Sequence, residues 1–360
     1  MVDGHFKYIT VMKSLKIGKR NIGERAPVFI IAEAGVNHNG SVALAKKLVD
    51  AAKKTGADAV KFQNFKPEEV VTSKVGMAAY QKRNTGKSQS QLEMIRVFAL
   101  TSGDFREIAA YCKKKGILFL STPHGGFDSV DLLAELHVAA FKFGSGDLTN
   151  LPVLKYAAQF KKPMIISTGM ANMAEITEAA AIIRSAGNSQ IIIMQCTTDY
   201  PTSPHEVNLR AMETISKGIG AIMGFSDHTL GSHASTMAVA LGTRVIEKHL
   251  TLDKKMPGPD HKASSDPKEF TAFVKALREA ELMLGSATKR PSASEKQYMP
   301  IVRKSVVARV AIKKGEKFTE HNLGVKRPGT GLHPRFYFKL MGKCAKRDMP
   351  QDELLSAKDL

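Results

Sequence analysis

The 360-residue chain has no tryptophan, only three cysteines and no apolar run of the length that crosses a membrane. Cys112, Cys196 and Cys344 show no paired spacing, so a disulfide framework is excluded, and none has the surroundings of a nucleophile. Residues 1–25 lack the apolar segment of a signal peptide, and a membrane-spanning helix needs about 20 mostly apolar residues. These absences predict a soluble protein of the reducing cytoplasm.

Acidic residues are scarce relative to basic ones, since 34 Asp and Glu stand against 53 Lys and Arg. The formal net charge of +19 creates a positive field that attracts nucleic acid, anionic lipid and phosphorylated small molecules alike. Charge alone does not choose among these partners. A hydrophobic content of 43% with 24% charged residues is ordinary for a globular protein and excludes a disordered or fibrous chain.

Eight short apolar runs, each ending in polar residues, alternate with amphipathic segments through the first three quarters of the chain. The runs are VFIIAEAG, AVKFQ, ILFLSTP, AAFKFGSGD, PMIISTGM, IIIMQCTTDY, IMGFSDHT and RVIEKHL. Segments such as ALAKKLVDAAKKTG carry apolar residues at helical spacing and end in a glycine, which is typical of a helix C-terminus. Eight strand–helix pairs over about 250 residues predict an α/β fold, a (β/α)8 TIM barrel, in preference to an open doubly wound sheet.

The amino-acid composition changes after the last predicted barrel helix. SATKRPSASEKQYMP is rich in Ser, Pro and Lys and predicts a linker, and the basic segment that follows has short β-like pieces separated by turns. We therefore expect an N-terminal extension at residues 1–25, a barrel at 26–285, a linker at 286–303 and a small β-rich domain at 304–360. The long polar loop TSKVGMAAYQKRNTGKSQSQLEMI after the second strand is typical of a substrate lid.

Nearly every predicted strand ends in polar side chains, and the carboxyl ends of barrel strands are where such folds build their active sites. These polar residues include Glu33, Lys61, Gln63, Thr122, His124, Lys142, Ser145, Asp147, Ser167, Thr198, Tyr200, Ser226, His228, Glu247 and His249. Lys61 and Lys142 lie inside apolar runs, where each either faces an anion in the barrel mouth or pairs with a structural carboxylate. The neighbouring GSG and STG segments let hydrogen-bond donors approach phosphate or carboxylate oxygens closely.

Two histidines, His228 and His249, end the seventh and eighth predicted strands and can therefore converge on one point. A pair of imidazoles, with water or substrate in the remaining positions, suits Mn2+, Zn2+, Co2+ or Fe2+, whereas a single histidine is more often a hydrogen-bonded structural residue. Beyond the eighth strand, Asp260 follows a Gly-Pro pair in LDKKMPGPDHKAS and has the chemistry to bind sugar hydroxyls. Taken alone, however, this loop predicts a solvated turn.

The order and spacing of these motifs resemble those of the sialic acid synthases over nearly the whole chain. The matching segments are IAEAGVNHNG, KFQ, FLSTP, FKFGSGD, IISTGM, QCTTDYP, GFSDHTLG, VIEKHLTLD and GPDHKAS. The tail, with VKRPGTG at residues 325–331, resembles the antifreeze-like, or SAF, domain that follows the barrel in those enzymes. That family condenses phosphoenolpyruvate with an N-acyl aminohexose to make nonulosonic acids, so the resemblance implies a phosphoenolpyruvate-dependent transferase.

The resemblance also implies roles for individual residues. His228 and His249 correspond to the family's divalent metal ligands, with Mn2+ the usual ion and Mg2+ or Co2+ as alternatives. The positions for phosphoenolpyruvate are Lys61, Thr122, Lys142, Ser145, Ser167 and Ser226, and those for the acceptor sugar are Gln63, Thr198, Tyr200 and Asp260. Arg327 corresponds to an arginine that the SAF domain extends into the barrel of the other subunit, which implies a domain-swapped homodimer without nucleic-acid or membrane partners.

Two positions differ from the bacterial neuraminate synthases, because Asp147 replaces a Glu and Thr198 replaces an Asn. Asp147 resembles the animal enzymes, which use a 6-phosphorylated sugar, while the long loop resembles legionaminate-type synthases. The acceptor therefore stays open among N-acetylmannosamine, its 6-phosphate and a 2,4-diacetamido-trideoxy mannose.

The mechanism expected from the resemblance is attack by C3 of phosphoenolpyruvate on the metal-activated sugar aldehyde, followed by water addition at C2 and loss of phosphate through C–O cleavage. Glu33 is expected to handle the proton of the water and Asp147 to assist at the sugar oxygen. One rival is a metal-independent Schiff-base phosphosugar aldolase that uses Lys142. Another is a basic binding module for nucleic acid or ice, although the tail lacks the aromatic series of single-strand binders.

Overall fold

The computed structural model describes residues 14–86 and 89–360. Residues 1–13 of the predicted N-terminal extension and residues 87–88 of the predicted lid lie outside the described residues. The chain divides into two compact units, the first ending at Gly285 and the second beginning at Ser286.

Eight parallel strands form one sheet in the first unit, and together they confirm the predicted TIM-barrel fold. They are Phe29–Gly35 (β3), Ala59–Asn64 (β4), Leu118–Pro123 (β5), Phe141–Phe143 (β6), Met164–Ser167 (β7), Ile191–Cys196 (β8), Ile222–Asp227 (β9) and Val245–His249 (β10). The order across the sheet is β5-β4-β3-β10-β9-β8-β7-β6. Because β5 and β6 at its two ends also lie side by side, the sheet closes into a barrel. A short antiparallel hairpin, Ser14–Ile17 (β1) with Arg20–Gly23 (β2), precedes it.

Helices follow the strands around the barrel. They are Val42–Lys54 (α1), Pro67–Val70 (α2), Ala79–Thr85 (α3), Gln91–Arg96 (α4), Ser102–Lys115 (α5), Gly126–Glu135 (α6), Leu151–Ala158 (α7), Met173–Ser185 (α8), Ala211–Ile219 (α9), His233–Ala240 (α10) and Pro267–Leu284 (α11). Local sequence fixes several of their ends. The side chains of Thr101, Asn172 and Asp266 accept hydrogen bonds from backbone N–H groups in the first turns of α5, α8 and α11. Gly116 ends α5 in the left-handed conformation.

Strand periodicity explains how the barrel places its polar groups. Alternate strand residues such as Ile31, Ala59 and Leu120 form a cluster inside the barrel, together with Ile17 and Ile22 of the hairpin. The intervening residues pack outward against the helices in a separate core. Since side chains alternate with a period of two, the residues two and four positions beyond the inner cluster also point inward, at the carboxyl ends of the strands. The inner core therefore gives way to a polar mouth.

The segment predicted as a long polar loop, residues 72–95, carries two short helices, α3 and α4, and a third, α2, lies just before it. Ser90 begins α4 with a reciprocal capping pair, because its side chain accepts from the Glu93 N–H while the Glu93 carboxylate accepts from the Ser90 N–H. Met77 and Met94 of this segment, and Phe98 just beyond it, bury their side chains in a small apolar cluster with Val36. These apolar contacts hold the described parts of the segment in place.

The second unit begins with a helix inside the predicted linker, Ala293–Val302 (α12), whose N-terminus Ser292 caps. Two strands, Ser305–Ala308 (β11) and Leu323–Lys326 (β12), pair antiparallel, and a short helix, Tyr337–Leu340 (α13), follows. The unit has its own apolar core, which includes Val306, Phe318, Leu323, Leu340 and Leu355. Within residues 14–86 and 89–360, no helix combines the length and the apolar character needed to cross a membrane.

Candidate active site

A cavity of about 550 Å3 opens at the carboxyl ends of the barrel strands. Of the residues predicted to form the site, it is lined by Glu33, Lys61, Gln63, Thr122, Lys142, Ser145, Asp147, Ser167, Thr198, Tyr200, Ser226, His228, His249 and Asp260. A larger groove of about 680 Å3 lies near the ends of β8 and β9, but its lining is mainly apolar and His233 is its only ionisable side chain among the described residues. The cavity at the strand ends is therefore where chemistry can occur.

Two lysines and two glutamates form the floor of this cavity, all of them buried. The Lys61 ammonium lies 2.7 Å from Glu33 and 3.8 Å from Glu247, and the Lys142 ammonium lies 3.4 Å from Glu247. Each lysine also donates to a hydroxyl, Lys61 to Thr122 at 2.9 Å and Lys142 to Ser167 at 2.8 Å. Of the two interpretations given above, the structure shows that both lysines pair with carboxylates. These ion pairs lie inside the cavity, where an anionic ligand can still reach the lysines.

Protonation differs from group to group across this floor. Burial raises the pKa of Glu33, with Glu247 adding to the effect and Lys61 opposing it. Burial also acts to raise the pKa of Glu247, but Lys142 and Lys61 outweigh it and hold that pKa below its ordinary value. Burial lowers the pKa of Lys142, whereas Glu247 and Glu33 raise the pKa of Lys61 in spite of its burial. Glu247 is thus the carboxylate that stays ionised between the two lysines. The floor therefore suits a ligand that brings further negative charge.

Hydroxyl groups and one glycine form the wall beside Lys142. The Gly169 N–H donates to the Ser145 hydroxyl at 2.9 Å, and the Ser226 hydroxyl donates to Glu247 at 3.4 Å. The Thr198 hydroxyl is buried without a hydrogen-bond partner among the described residues. These small donors and acceptors face the same space as the two lysines, which is the composition of an oxyanion-binding wall.

His228 and His249 converge as predicted, with their ring centroids 5.4 Å apart. His228 Nδ1 lies 2.7 Å from the Thr197 carbonyl oxygen, so we assign a proton to Nδ1. Burial acts to lower the pKa of His228, but Cys196 and the Thr197 carbonyl outweigh it and raise that pKa, so a metal would compete with a proton at Nε2. The His249 Nδ1 is buried without a hydrogen-bond partner in the described part of the chain. Burial, followed by the neighbouring His228, holds the pKa of His249 well below its ordinary value. Two converging imidazoles are a donor set that a divalent transition metal accepts.

No group of three or more His, Cys, Asp or Glu side chains within residues 14–86 and 89–360 is arranged to hold a metal ion. A metal at His228 and His249 would consequently take its remaining ligands from water or substrate, as an open catalytic site does. The ring of Tyr200 lies 4.0 Å from that of His228 and 5.4 Å from that of His249, measured between centroids.

The residues next to the two histidines point outward and anchor the strand ends. The Lys248 ammonium lies 3.1 Å from Asp227 and donates to the Thr229 carbonyl at 2.7 Å. Asp227 also accepts from the Thr229 N–H and hydroxyl and from the Ser235 hydroxyl. This buried network ties β9, β10 and α10 together, and so it fixes the strand ends from which His228 and His249 project.

The solvated turn predicted around Asp260 is wrong, because Asp260 is only 8% exposed and lines the cavity. Its backbone carbonyl accepts from the Ser264 hydroxyl at 2.7 Å and from the Ser264 N–H at 3.0 Å, which folds the loop back over the strand ends. Burial, with the charge of Glu33 adding to it, raises the pKa of Asp260 to about 6. Gln63 lies beside this region and donates to Glu33 at 2.9 Å. Arg327 belongs to the second unit, follows β12 and is exposed.

Sequence reasoning assigned no role to two residues of the cavity, Glu247 and His124. Glu247 is the carboxylate shared by both lysines, and it lies two residues before His249 and two after Val245 of the inner core. The alternation of inward and outward side chains along β10 was therefore enough to predict that Glu247 points into the barrel. His124 lies one residue beyond β5, and its Nδ1 is 2.7 Å from Asp147. Nothing in the sequence indicates that contact, since it joins two different loops.

Comparisons with known proteins relate this chain to enzymes that make sugar acids. A model of the NeuB family matches residues 48–289, and a model of the SAF domain matches residues 303–360. The N,N'-diacetyllegionaminic acid synthase of Campylobacter jejuni is 47% identical, over 91% of this chain and 98% of its own length. The N-acetylneuraminate-9-phosphate synthase of Homo sapiens is 37% identical over 93% of both chains. The N-acetylneuraminic acid synthetase structure from Leptospira borgpetersenii, in complex with citrate, has a TM-score of 0.70 at 30% identity over 80% of this chain and 95% of that one.

Proposed function

Because the chain belongs to the NeuB family, we propose that it condenses phosphoenolpyruvate with an N-acyl aminohexose to form a nonulosonic acid. Phosphate leaves by C–O cleavage in this proposal. The observation that carries it is the cavity floor, where Lys61 and Lys142 are buried around Glu247 beside the convergent histidines. The synthases among its relatives are named for products of this class, which supports the same reaction type.

Phosphoenolpyruvate, as proposed, binds against the two lysines and the hydroxyl wall. Besides its hydroxyl partner, Lys61 faces Glu33 and Glu247, and Lys142 donates to the Phe143 carbonyl at 3.2 Å and faces Glu247, so an anionic ligand binds by taking over some of these contacts. The Ser145 and Ser226 hydroxyls donate to Cys196 Sγ at 3.5 Å and to Glu247 at 3.4 Å, and each can rotate toward a ligand in the cavity. A small ligand with a carboxylate and a phosphate supplies the negative charge that this floor lacks, so its binding offsets the cost of keeping two lysines buried.

The acceptor sugar lies, in this proposal, between the histidine pair and the Asp260 loop, in contact with Gln63, Thr198 and Tyr200. A divalent ion at His228 and His249, Mn2+ in our proposal, would act as a Lewis acid on the aldehyde oxygen of the open-chain sugar. Asp260 orients the sugar hydroxyls from the opposite side, since its carboxylate is held in the cavity wall.

Two carboxyl groups handle protons at the reacting oxygens. Glu33 has its pKa raised by burial, and it lies 2.7 Å from the Lys61 ammonium inside the site. We assign it the proton of the water that adds at C2. Asp147 lies at the end of the turn Ser145–Asp147 after β6 and assists at the sugar oxygen.

Of the three acceptors, we propose that the 2,4-diacetamido-trideoxy hexose is preferred. The outer wall of the cavity consists of Val36, Met94, Ile95 and Phe98, with the Gln91 amide beside them. Such a wall suits a 6-methyl group and acetamido substituents. Among the described residues that line the cavity, the lysines are Lys61 and Lys142, and both lie on the floor with carboxylate partners. Within the lining that one subunit contributes from its described residues, a 6-phosphate at this wall would have no such cation.

The test is phosphate release from phosphoenolpyruvate in the presence of Mn2+ and each of the three sugars. We expect the highest kcat/KM with the diacetamido sugar, and we expect 18O from labelled water to enter the sugar acid. Label in the phosphate instead would overturn C–O cleavage, and a preference for the 6-phosphate would overturn only the acceptor assignment.

A second function is favoured by one observation, the burial that lowers the pKa of Lys142 and so favours a nucleophilic amine. A Schiff-base aldolase would form a covalent adduct that borohydride traps on Lys142. We expect no adduct with any of the three sugars, and mass spectrometry of the treated protein decides between the two functions.

A further inference from the structure

His124 and Asp147 form a pair in the cavity, just beyond the ends of β5 and β6. His124 Nδ1 lies 2.7 Å from Asp147 Oδ2, and both side chains are mostly buried, at 24% and 15% exposure. The ring N–H is not aligned with that oxygen, so the contact is at ion-pair distance without a directed hydrogen bond. Such contacts in ligand-free sites commonly tighten when substrate binds.

The backbone around this pair holds it in place. The His124 N–H lies 3.1 Å from the Asn64 carbonyl oxygen, which fixes the residue at the end of β5. The Asp147 N–H donates to the Gly144 carbonyl at 3.0 Å, which closes the turn after β6. A β-carbon at Gly144 would lie 3.1 Å from His124 Cε1 and 3.6 Å from Asp147 Oδ2. The glycine therefore leaves the space that the imidazole and the carboxylate share.

The pairing decides which ring nitrogen is available for chemistry. Because a carboxylate only accepts hydrogen bonds, we assign the Nδ1 proton to the contact with Asp147. Nε2 then carries the exchangeable proton or the lone pair, and it has no partner within residues 14–86 and 89–360. His124 lines the same cavity as Thr122 and Ser145, two of the positions proposed for phosphoenolpyruvate. An imidazole oriented by a carboxylate at its other nitrogen is an arrangement suited to general acid–base catalysis.

We propose that His124 is a further catalytic residue of this enzyme, which protonates the departing phosphate through Nε2 while Asp147 orients its ring. The proposal rests on the proposed function above. In the tetrahedral intermediate, C2 carries a hydroxyl and the phosphate ester. The C2–O bond breaks and its electron pair stays with the phosphate oxygen, which takes the proton from Nε2. The hydroxyl electrons form the C2 carbonyl, and its proton returns to Nε2, so no external acid, base or oxidant is needed.

Four other ionisable groups of the cavity already have partners or roles in the proposed function. Of the three histidines that line it in the described part of the chain, His228 and His249 form the proposed metal pair. Glu33 takes the proton of the water that adds at C2 in the proposed function, and Glu247 lies between the two lysines of the floor. His124 is therefore the imidazole that remains for the phosphoenolpyruvate side, and an imidazole both donates and accepts protons in general acid–base catalysis.

The experiment compares wild type with His124→Ala, using phosphate release and equilibrium binding of phosphoenolpyruvate. We expect kcat to fall by about 10²–10⁴-fold, the range for loss of one acid–base group. The Kd for phosphoenolpyruvate should change by less than about threefold, because the floor that binds it is untouched. Adding imidazole to His124→Ala should restore the rate at least about tenfold, since the side chain is partly accessible from the mouth.

Two further variants separate catalysis from structure. His124→Asn retains a donor toward Asp147 but cannot relay a proton, and it should be as slow as His124→Ala with the same thermal midpoint as wild type. His205→Ala, at an exposed histidine in the turn Pro204–Glu206, should keep full activity and show no response to imidazole.

Wild-type activity in His124→Ala or in His124→Asn would overturn the assignment, as would a failure of imidazole to restore any rate. A wild-type enzyme that releases no phosphate with any of the three sugars would overturn the proposed function, and this assignment with it.

Discussion

Gly169 occupies a position where no side chain fits. A β-carbon there would lie 2.2 Å from the Thr198 hydroxyl and 2.7 Å from the Ser145 hydroxyl, both in the cavity wall. We expect Gly169→Ala to push these groups apart and to lower the free energy of unfolding by about 1–3 kcal/mol, the usual cost of overpacking. The affinity for phosphoenolpyruvate should fall as well, because Ser145 loses its contact with the Gly169 N–H. Chemical denaturation and equilibrium binding measure the two effects.

Gly146 provides the matched control for this prediction. A β-carbon at Gly146 would have no neighbour within 4 Å, so Gly146→Ala should leave the free energy of unfolding unchanged. Equal destabilisation by the two substitutions would mean that backbone freedom, rather than the space beside Thr198, explains the glycine at position 169.

Two buried histidines outside the metal pair make stability depend on pH. Burial, with the neighbouring His261 adding to it, lowers the pKa of His38 to about 4, and burial lowers the pKa of His261 to about 4. Both histidines have an ordinary value of 6.5 when the chain is unfolded. The unfolded chain thus binds more protons in this window, and stability present above pH 6.5 is lost as the pH falls toward 4. Each histidine contributes about 2–3 kcal/mol of this loss.

Replacing either histidine should flatten that pH dependence. In His38→Asn an amide oxygen can still accept from the Gly40 N–H, which His38 Nδ1 does at 3.1 Å. We expect the variant to lose less stability than wild type between pH 6.5 and 4, as measured by denaturant unfolding at each pH. His205→Asn, at an exposed position, should follow the wild-type curve. An unchanged slope in His38→Asn would contradict the prediction.

At the residue scale, the sequence predicted which side chains line the cavity better than how they pair. Lys61, Lys142, His228 and His249 were predictable because inward positions repeat every two residues along a strand. The same rule predicts that Glu247 points inward. It does not predict the contact between His124 and Asp147, because both residues lie beyond their strands, where the chain direction depends on turn geometry.

The ends of β9 and β10 depend on a buried ion pair outside the barrel interior. Asp227→Ala would leave the Lys248 ammonium buried without its carboxylate, and we expect a loss of about 3–5 kcal/mol in the free energy of unfolding. Lys248→Met should cost less, about 2 kcal/mol, because Asp227 keeps its hydrogen bonds from Thr229 and Ser235.

Lys275→Met serves as the control for these two variants, since Lys275 is exposed on α11 and pairs only with Glu279 on the same helix in the described structure. Its free energy of unfolding should change by less than about 0.5 kcal/mol. If Lys248→Met proved more harmful than Asp227→Ala, the carboxylate would not be the centre of the network.

At the element scale, the eight barrel strands were predictable because each is a short apolar run that ends in polar residues. The short helices α2, α3 and α4 were not, because helices of four, seven and six residues carry too little periodicity to be detected in a polar segment. These helices are held in place instead by the apolar contacts of Met77, Met94 and Phe98 with Val36. Such contacts are tertiary and cannot be read from a local pattern.

At the scale of the whole molecule, the two compact units divide the predicted site residues between them. Those of the barrel line one cavity, and Arg327 is exposed in the second unit. We propose a domain-swapped homodimer in which Arg327 of each subunit completes the acceptor site of the other. Arg327→Ala should then impair use of the acceptor sugar far more than binding of phosphoenolpyruvate, which the floor residues hold alone.

Complementation between two inactive variants tests the swapped arrangement directly. Arg327→Ala lacks the proposed sugar contact, and Lys142→Met lacks a cation of the floor. In a swapped dimer of one chain of each, one site combines an intact floor with an intact Arg327, and the other site has lost both. Random co-assembly makes half of the dimers mixed, so about a quarter of wild-type activity should return. If each site were instead completed by its own chain, no mixture would contain an intact site, and co-expression of the two variants would leave phosphate release at the level of either variant alone.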